Sequence, residues 1–242
     1  MRILVLQHLP VEHPGVLRDF FNADGFKWDP VEIEVGEPIP DLTPYDMMLV
    51  MGGPQDVWQE DEYPWLRPEK AAIRKFVADM RRPYLGICLG HQLLASALGG
   101  TVQPAATPEV GIKTIFHTAE GKRDPFLRNA PDPMKVLQWH GAEVTELPPQ
   151  TTVLASSDAC HVQAMRYQRH AYGLQFHVEL TDETVGDWAK ISAYAGSLEN
   201  ALGTGAVDKL AGEVDELLPA FKRDARTLYE NLKAITAQVG AQ

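Results

Sequence analysis

The segment Pro83-Tyr84-Leu85-Gly86-Ile87-Cys88-Leu89-Gly90-His91-Gln92-Leu93-Leu94 carries a short apolar run into Gly-x-Cys-x-Gly and on into helix-forming residues, closed by Gly99-Gly100. That order reads as a strand, a tight turn and a helix start, with a thiol at the apex. Glycines at 86 and 90 remove the Cβ atoms that would crowd the turn, and the apical residue of such a turn usually carries backbone strain. Cys88 is then expected over the helix N-terminus, where unpaired N–H groups and the helix dipole favour a thiolate. A cysteine held this way is a candidate nucleophile, whereas the bland alternative is a buried thiol at a strand end.

Outward from this segment the chain alternates strand and helix. Arg2 to Leu6, Val31 to Val35, Asp46 to Met51 and Tyr84 to Ile87 read as strands, the third halted by Gly52-Gly53-Pro54. Val16 to Phe21 reads as a short helix. Pro64 to Met80 reads as a longer one, because Trp65, Leu66, Ala72, Ile73, Phe76, Val77 and Met80 recur at steps of three and four. Strands that are apolar on both faces and alternate with helices imply βαβ units, hence an α/β, doubly wound domain with an open, mostly parallel central sheet and helices on both faces. Past Gly100, β-like runs at Ile112 to Phe116, Val136 to Trp139, Thr152 to Ala155, His161 to Tyr167 and Ala171 to Phe176 predict an antiparallel extension. From Thr181, an expected N-cap, the text turns helical, with a stripe of Val207, Leu210, Val214, Leu217, Phe221, Ala225, Leu228, Leu232 and Ile235. Pro219 is expected to start a new helix there or to kink one. The expected division is a domain over 1–180 and a helical C-terminal appendage over 181–242 packed on it, the stripe leaving a homodimer interface open.

The 242 residues carry 22 basic and 33 acidic side chains, a formal net charge of −11, with 45% hydrophobic residues. Such a chain can bury a full core, and its acidic balance argues against nucleic acid or an anionic membrane as the main partner. The apolar start ends at Gln7-His8, short for a signal peptide, and no stretch reaches the roughly 18 apolar residues of a membrane helix. A cytoplasmic setting is expected, in which Cys88 and Cys160 stay reduced.

A cysteine nucleophile needs a base, a group that orients the base and an oxyanion hole. Tyr172-Gly173-Leu174-Gln175-Phe176-His177-Val178-Glu179 offers the first two. In an extended strand, residues two apart share a face, so His177 and Glu179 point together while Val178 points back. A carboxylate beside an imidazole fixes its tautomer and stabilises its protonated form. The N–H of Leu89 is the natural first oxyanion donor. Gly53, in Gly52-Gly53-Pro54 at the carboxyl end of a neighbouring strand, is the second, because ligands of open α/β sheets bind at that edge.

With these blocks in this order, the chain resembles the class I (triad-type) glutamine amidotransferases, a flavodoxin-like fold, over roughly residues 1–180. The resemblance rests on Gly52-Gly53-Pro54, Gly86-Ile87-Cys88-Leu89-Gly90-His91-Gln92, Trp139-His140-Gly141 and Phe176-His177-Val178-Glu179. It is similar to stand-alone members and to the glutaminase domain of GMP synthetase. The resemblance implies a γ-glutamyl thioester on Cys88, with His177 as base and then acid and Glu179 as its partner. It also implies that Gln92 and the backbone around Trp139, Gly141 and Ala142, beside Gly52, hold a glutamine or other γ-glutamyl substrate. No metal and no cofactor are implied. The chain lacks a Ser-Gly-Gly-x-Asp-Ser pyrophosphatase loop and a Gly-x-x-x-x-Gly-Lys phosphate loop. Any ATP-using acceptor chemistry is therefore expected on a separate synthase subunit, or not at all. The alternatives are a γ-glutamyl peptide hydrolase and a partner-activated subunit.

Other features carry plainer expectations. His140 shapes the substrate loop rather than serving as the base. His91 is a first-turn residue with its polar tip near the site, and Cys160 packs in a loop entering a strand. His8, Glu12 and His13 lie in the loop after the first strand but lack the spacing of a metal site.

Overall fold

The computed structural model describes residues 1–239. Nine strands form one sheet: β1 (Arg2–Gln7), β2 (Lys27–Glu32), β3 (Met47–Val50), β4 (Tyr84–Ile87), β5 (Thr101–His117), β6 (Met134–Glu146), β7 (Thr151–Ser156), β8 (Ala164–Tyr167) and β9 (Ala171–Leu174). Their order is β2-β1-β3-β4-β9-β8-β7-β5-β6. The first five in that order pair in parallel, and the rest join antiparallel. The fold is thus the expected α/β architecture with a parallel centre and an antiparallel wing.

Both faces of the parallel strands are apolar, and alternation divides them. Ile3, Val5, Met47, Leu49, Leu85 and Ile87 pack on one face, beneath α1 (Leu17–Ala23) and the C-terminal part of the last helix. Leu4, Leu6, Met48 and Val50 pack on the other, beneath α2 (Leu66–Arg74) and α3 (Leu89–Ala97). A π-helical turn, Lys75–Asp79, extends α2.

Three expectations are corrected. The second strand covers Lys27–Glu32, and Ile33–Val35 is a 3-10 turn. Pro30 lies inside it because β2 is an edge strand, where a missing N–H costs no ladder bond. Thr181 does not cap a helix. Its N–H donates to the Thr184 hydroxyl at 2.9 Å, forming a turn ahead of α4 (Thr184–Trp188), whose N-cap is Glu183. Of the two outcomes expected at Pro219, a new helix is the one overturned: after α5 (Ser192–Leu202), α6 runs from Ala206 to Val239 with Pro219 inside it. Pro219 sits on its solvent-exposed side, where water can satisfy the carbonyl that the proline leaves unpaired.

The buried stripe of α6 serves two clusters. Leu210, Val214, Leu218 and Phe221 join Leu137 and Trp139 of β6 and Trp188 of α4. Ala225, Leu228, Tyr229, Leu232 and Ile235 join the sheet face shared with α1. The described stripe uses Ala206 and Leu218, with Val207 and Leu217 half-buried at its rim. Among the described residues no helix is long and apolar enough to cross a membrane.

Because Leu228 is buried against the sheet, Leu228→Ala is expected to lower the unfolding free energy by about 2–5 kcal/mol. A urea midpoint that does not move would show that this half of α6 stands outside the cooperative core.

Candidate active site

Strand order brings the carboxyl ends of β1, β3, β4 and β9 side by side, and each delivers part of one site. After β4 the chain turns through Cys88 at φ 50°, ψ −104°, and enters α3 at once. Two close approaches make that turn. A Cβ on Gly90 would lie 2.1 Å from the Val50 carbonyl oxygen, and one on Gly86 would lie 2.4 Å from the Gly90 backbone. Only glycine fits either place. The Cys88 N–H donates to Leu174 O at 2.8 Å and Gly90 N–H to Met51 O at 3.1 Å, stitching the elbow to both neighbouring strands.

β9 ends at Leu174, earlier than the sequence suggests, and His177 is held by a single antiparallel bridge to Leu137. The expected face-sharing still holds: His177 Nδ1 lies 2.7 Å from Glu179 Oε1, while Val178 packs into the core. The other carboxylate oxygen of Glu179 accepts from the Val178 N–H at 2.8 Å. The Cys88 side chain lies close enough to raise the His177 imidazole, and its sulfur is 3.9 Å from the Trp139 carbonyl oxygen and 3.8 Å from Gln175 Nε2. Burial by itself pushes the imidazole down. The Glu179 charge and hydrogen bond, together with the neighbouring Cys88 side chain, outweigh it, so His177 stands well above its ordinary value. The edge of Trp188 packs on the ring, centroids 4.5 Å apart.

A second carboxylate, weighed from the sequence only as part of a rejected metal group, reaches the same imidazole. Glu12, fully buried, places an oxygen within 4.8 Å of ligand atoms of His177 and Glu179. Its Oε1 accepts from the hydroxyl of Tyr194 from α5, and its Oε2 has no hydrogen-bond partner among the described residues. Burial pushes the Glu12 carboxyl up, opposed by His177 and Tyr194. The loop carrying it is pressed onto Glu179. Val16 N–H donates to Glu179 O at 2.9 Å, and Gly15, at φ 49°, leaves the room in which a Cβ would strike that oxygen. Trp188 Nε1 ties the same loop to α4 through Val11 O at 3.1 Å.

Cys88 opens on a cleft of about 570 Å³, within the ~300–1,000 Å³ of sites that take small ligands. Gly53, Gln92, Trp139, Gly141 and Ala142 all line it. Leu89 follows Cys88 at the first position of α3. Gly52 lies just behind, where a Cβ would meet Glu12 at 2.5 Å and His177 at 3.2 Å. Gln92 Nε2 donates to Ala142 O at 3.0 Å and to Gln175 Oε1 at 3.1 Å, and Gln175 approaches the sulfur at 3.8 Å. The C-terminal helices contribute a wall that motif reading missed, including Tyr194, Ser197 and Asn200, with Ser197 accepting from the Trp139 indole at 2.7 Å. Asp56 is the cleft's acidic side chain, beside half-exposed Trp58.

A second Cys-His-Glu group, Cys160, His140 and Glu109, is also buried. Glu109 there also accepts from Gln163 at 2.6 Å and from Ser157, and burial pushes the Cys160 thiol up to about 12. Of the three, only His140 reaches the cleft, with Nδ1 3.0 Å from Ala142 O. His91 does not point toward the cleft as expected. It packs over Gly173 of β9, neither ring nitrogen has a hydrogen-bond partner among the described residues, and burial pushes it down to about 3.

The family pattern for class I glutamine amidotransferases matches residues 23–187, well over half of the chain. A glutamine amidotransferase-like protein of Salmonella typhimurium, YfeJ, is 34% identical over 76% of this chain and 78% of its own length. The glutamine-hydrolysing GMP synthase subunit of Saccharolobus solfataricus is 36% identical over 60% and 72%. Gamma-glutamyl peptidase 5 of Arabidopsis thaliana is 32% identical over 67% and 66%. A crystal structure of a glutamine amidotransferase from Thermotoga maritima superposes with a TM-score of 0.85 at 29% identity, covering 96% of this chain and 97% of that one. The chain belongs to the class I glutamine amidotransferase family.

Between about pH 6.5 and 3 the unfolded chain binds a proton at His91 and the folded chain does not, so acid draws the equilibrium toward unfolding by up to about 1.4 kcal/mol per pH unit. From pH 6.5 to 4.5 the wild-type protein is expected to lose about 2–3 kcal/mol more than His91→Leu. Parallel losses in urea unfolding would mean that folded His91 takes up the proton.

Proposed function

We propose that this chain hydrolyses a γ-glutamyl amide through a thioester on Cys88, with glutamine as the default substrate. The observation that carries the reading is the elbow cysteine at φ 50° beside an imidazole that a carboxylate holds from behind at 2.7 Å. In this scheme the Cys88 thiolate, paired with protonated His177, attacks the γ-carbonyl carbon. The carbonyl oxygen becomes an oxyanion, facing the N–H groups of Leu89 and Gly53. As the C–N bond breaks, His177 gives its proton to the leaving nitrogen, and ammonia or an amine departs. Water then attacks the thioester, His177 taking its proton, and glutamate leaves as the thiolate re-forms. Glu179 keeps the imidazole in the required tautomer and stabilises its charged form throughout.

Gln92, Trp139, Gly141 and Ala142 bound the volume beside the sulfur and are assigned to the γ-glutamyl group, with Asp56 as counter-ion to its α-ammonium. Trp188 and Tyr194 exclude water from the imidazole side, strengthening every charge interaction there. A thiol nucleophile of this kind belongs in a reducing compartment such as the cytoplasm.

A second reading, hydrolysis of γ-glutamyl peptides, is favoured by the cleft itself. Its volume exceeds what the amide of free glutamine fills, and Trp58, Val110 and Tyr194 offer apolar walls to a larger leaving amine. The likeness to a plant γ-glutamyl peptidase points the same way. The likeness to the glutamine-hydrolysing subunit of a GMP synthase supports a third arrangement, in which ammonia passes to a separate synthase.

Cys88→Ala and Cys88→Ser are expected to stop glutamate release while keeping the unfolding midpoint; turnover above about 1% of wild type would contradict a covalent role. Comparing kcat/KM for glutamine and for γ-glutamyl dipeptides decides the substrate. Full activity of the isolated chain would rule out a subunit that must dock to work.

A further inference from the structure

Resting on that reading, we propose that His8 and Glu69 are a buried positioning pair that locks the Gly52–Gly53 peptide with its N–H turned into the cleft, so the oxyanion hole is assembled before substrate arrives. His8 follows β1 and Glu69 lies on α2, and both side chains are fully buried. His8 Nδ1 lies 2.8 Å from the Gly52 carbonyl oxygen, and Nε2 lies 2.9 Å from Glu69 Oε1. A carbonyl can only accept, so Nδ1 carries a proton and donates it there, whichever of the two partners holds the proton between Nε2 and Glu69.

The lock follows from peptide geometry. The Gly52 carbonyl and the Gly53 N–H belong to one planar trans unit and point in opposite directions. Holding the oxygen against His8 turns the N–H away from it, on the side where Gly53 lines the cleft with Cys88. Two consecutive glycines offer little resistance to rotation of the peptide between them, and Pro54 has no N–H that could stand in as a donor. Among the described residues, the Gly53 N–H has no backbone acceptor. Sterics complete the clamp. A Cβ on Gly53 would sit 2.8 Å from His8 Cβ and 2.9 Å from Leu89 Cδ2, so Gly53 is wedged between the lock and the residue bearing the other donor. The ring of His8 is itself stacked on Trp65, 5.4 Å between centroids and 22° from parallel.

A fully buried imidazole–carboxylate pair is a poor source of stability compared with apolar packing, which favours a positioning use. Burial pushes His8 down, but the Glu69 charge and hydrogen bond and the Gly52 carbonyl raise it on balance, and Nδ1 donates to that carbonyl whether the ring is neutral or charged.

The test uses the full chain with a γ-glutamyl amide, beside alkylation of Cys88 by iodoacetamide, a displacement at saturated carbon that develops no oxyanion. In His8→Ala, kcat is expected to fall about 10²–10³-fold, the loss seen when one oxyanion donor goes. KM and the alkylation rate are expected to stay within about threefold. His8→Asn, which returns an N–H near the Nδ1 position, is expected to recover at least about tenfold of the loss. Turnover of His8→Ala within about threefold of wild type overturns the proposal, as does alkylation that falls in step with turnover. If His8→Ala does not fold, His8→Asn decides: turnover of at least about a tenth of wild type supports the lock, and lost turnover with intact alkylation overturns it. A wild-type protein that alkylates but hydrolyses no γ-glutamyl amide sinks the hydrolase reading instead. The crystal structure of the variant then judges the lock, which fails if the Gly52–Gly53 peptide keeps its orientation without His8.

Discussion

The structure depends on how closely the first turn of α3 is pressed against the end of β3. With Gly90 almost touching the Val50 carbonyl and Gly86 against the Gly90 backbone, the chain has no room to leave β4 by an ordinary path. Cys88 takes the strain, at a φ few side chains adopt, which costs on the order of 1–3 kcal/mol. Backbone hydrogen bonds to Leu174 and Met51 hold it there. The same constraint sets the sulfur above a helix N-terminus and between the two strands that bring the imidazole and the glycine pair.

Around that point the protein buries charge rather than avoiding it. Two histidines each have two partners, His8 with Gly52 O and Glu69 and His140 with Ala142 O and Glu109, and His177 has Glu179. Carboxylates face each imidazole, and Glu12 adds another beside His177. Such groups cost stability when buried and unpaired, so they are kept in hydrogen-bonded sets. His140 lines the cleft itself, while His8 and His177 are buried behind it at Gly52, where a low dielectric makes each interaction stronger than it would be in water.

The C-terminal helices bind this rim to the rest of the core. Trp188 packs on His177 and ties down the loop after β1, Tyr194 caps Glu12, and α6 spans both the cluster behind the cleft and a face of the sheet. Nothing in a helical apolar stripe says which surface it covers. Periodicity showed that residues such as Leu210 and Phe221 are buried, but not that α4 and α5 would return over the carboxyl edge.

Much of the fold and part of the site were legible because their signals are local. The glycines around Cys88, the two-residue spacing of His177 and Glu179, and the alternation of apolar strands with helices act within a few residues, through sterics and pleat geometry. The signals that misled were local as well: Pro30 sits in an edge strand and Pro219 on a solvent-facing side, where the missing N–H is harmless. What only the tertiary structure decided is the set of contacts made across long stretches of chain, such as Tyr194 to Glu12 and Glu69 to His8, which lie 182 and 61 positions apart. Those depend on strand order and helix docking, which place distant residues at one edge and leave no pattern in the neighbouring sequence.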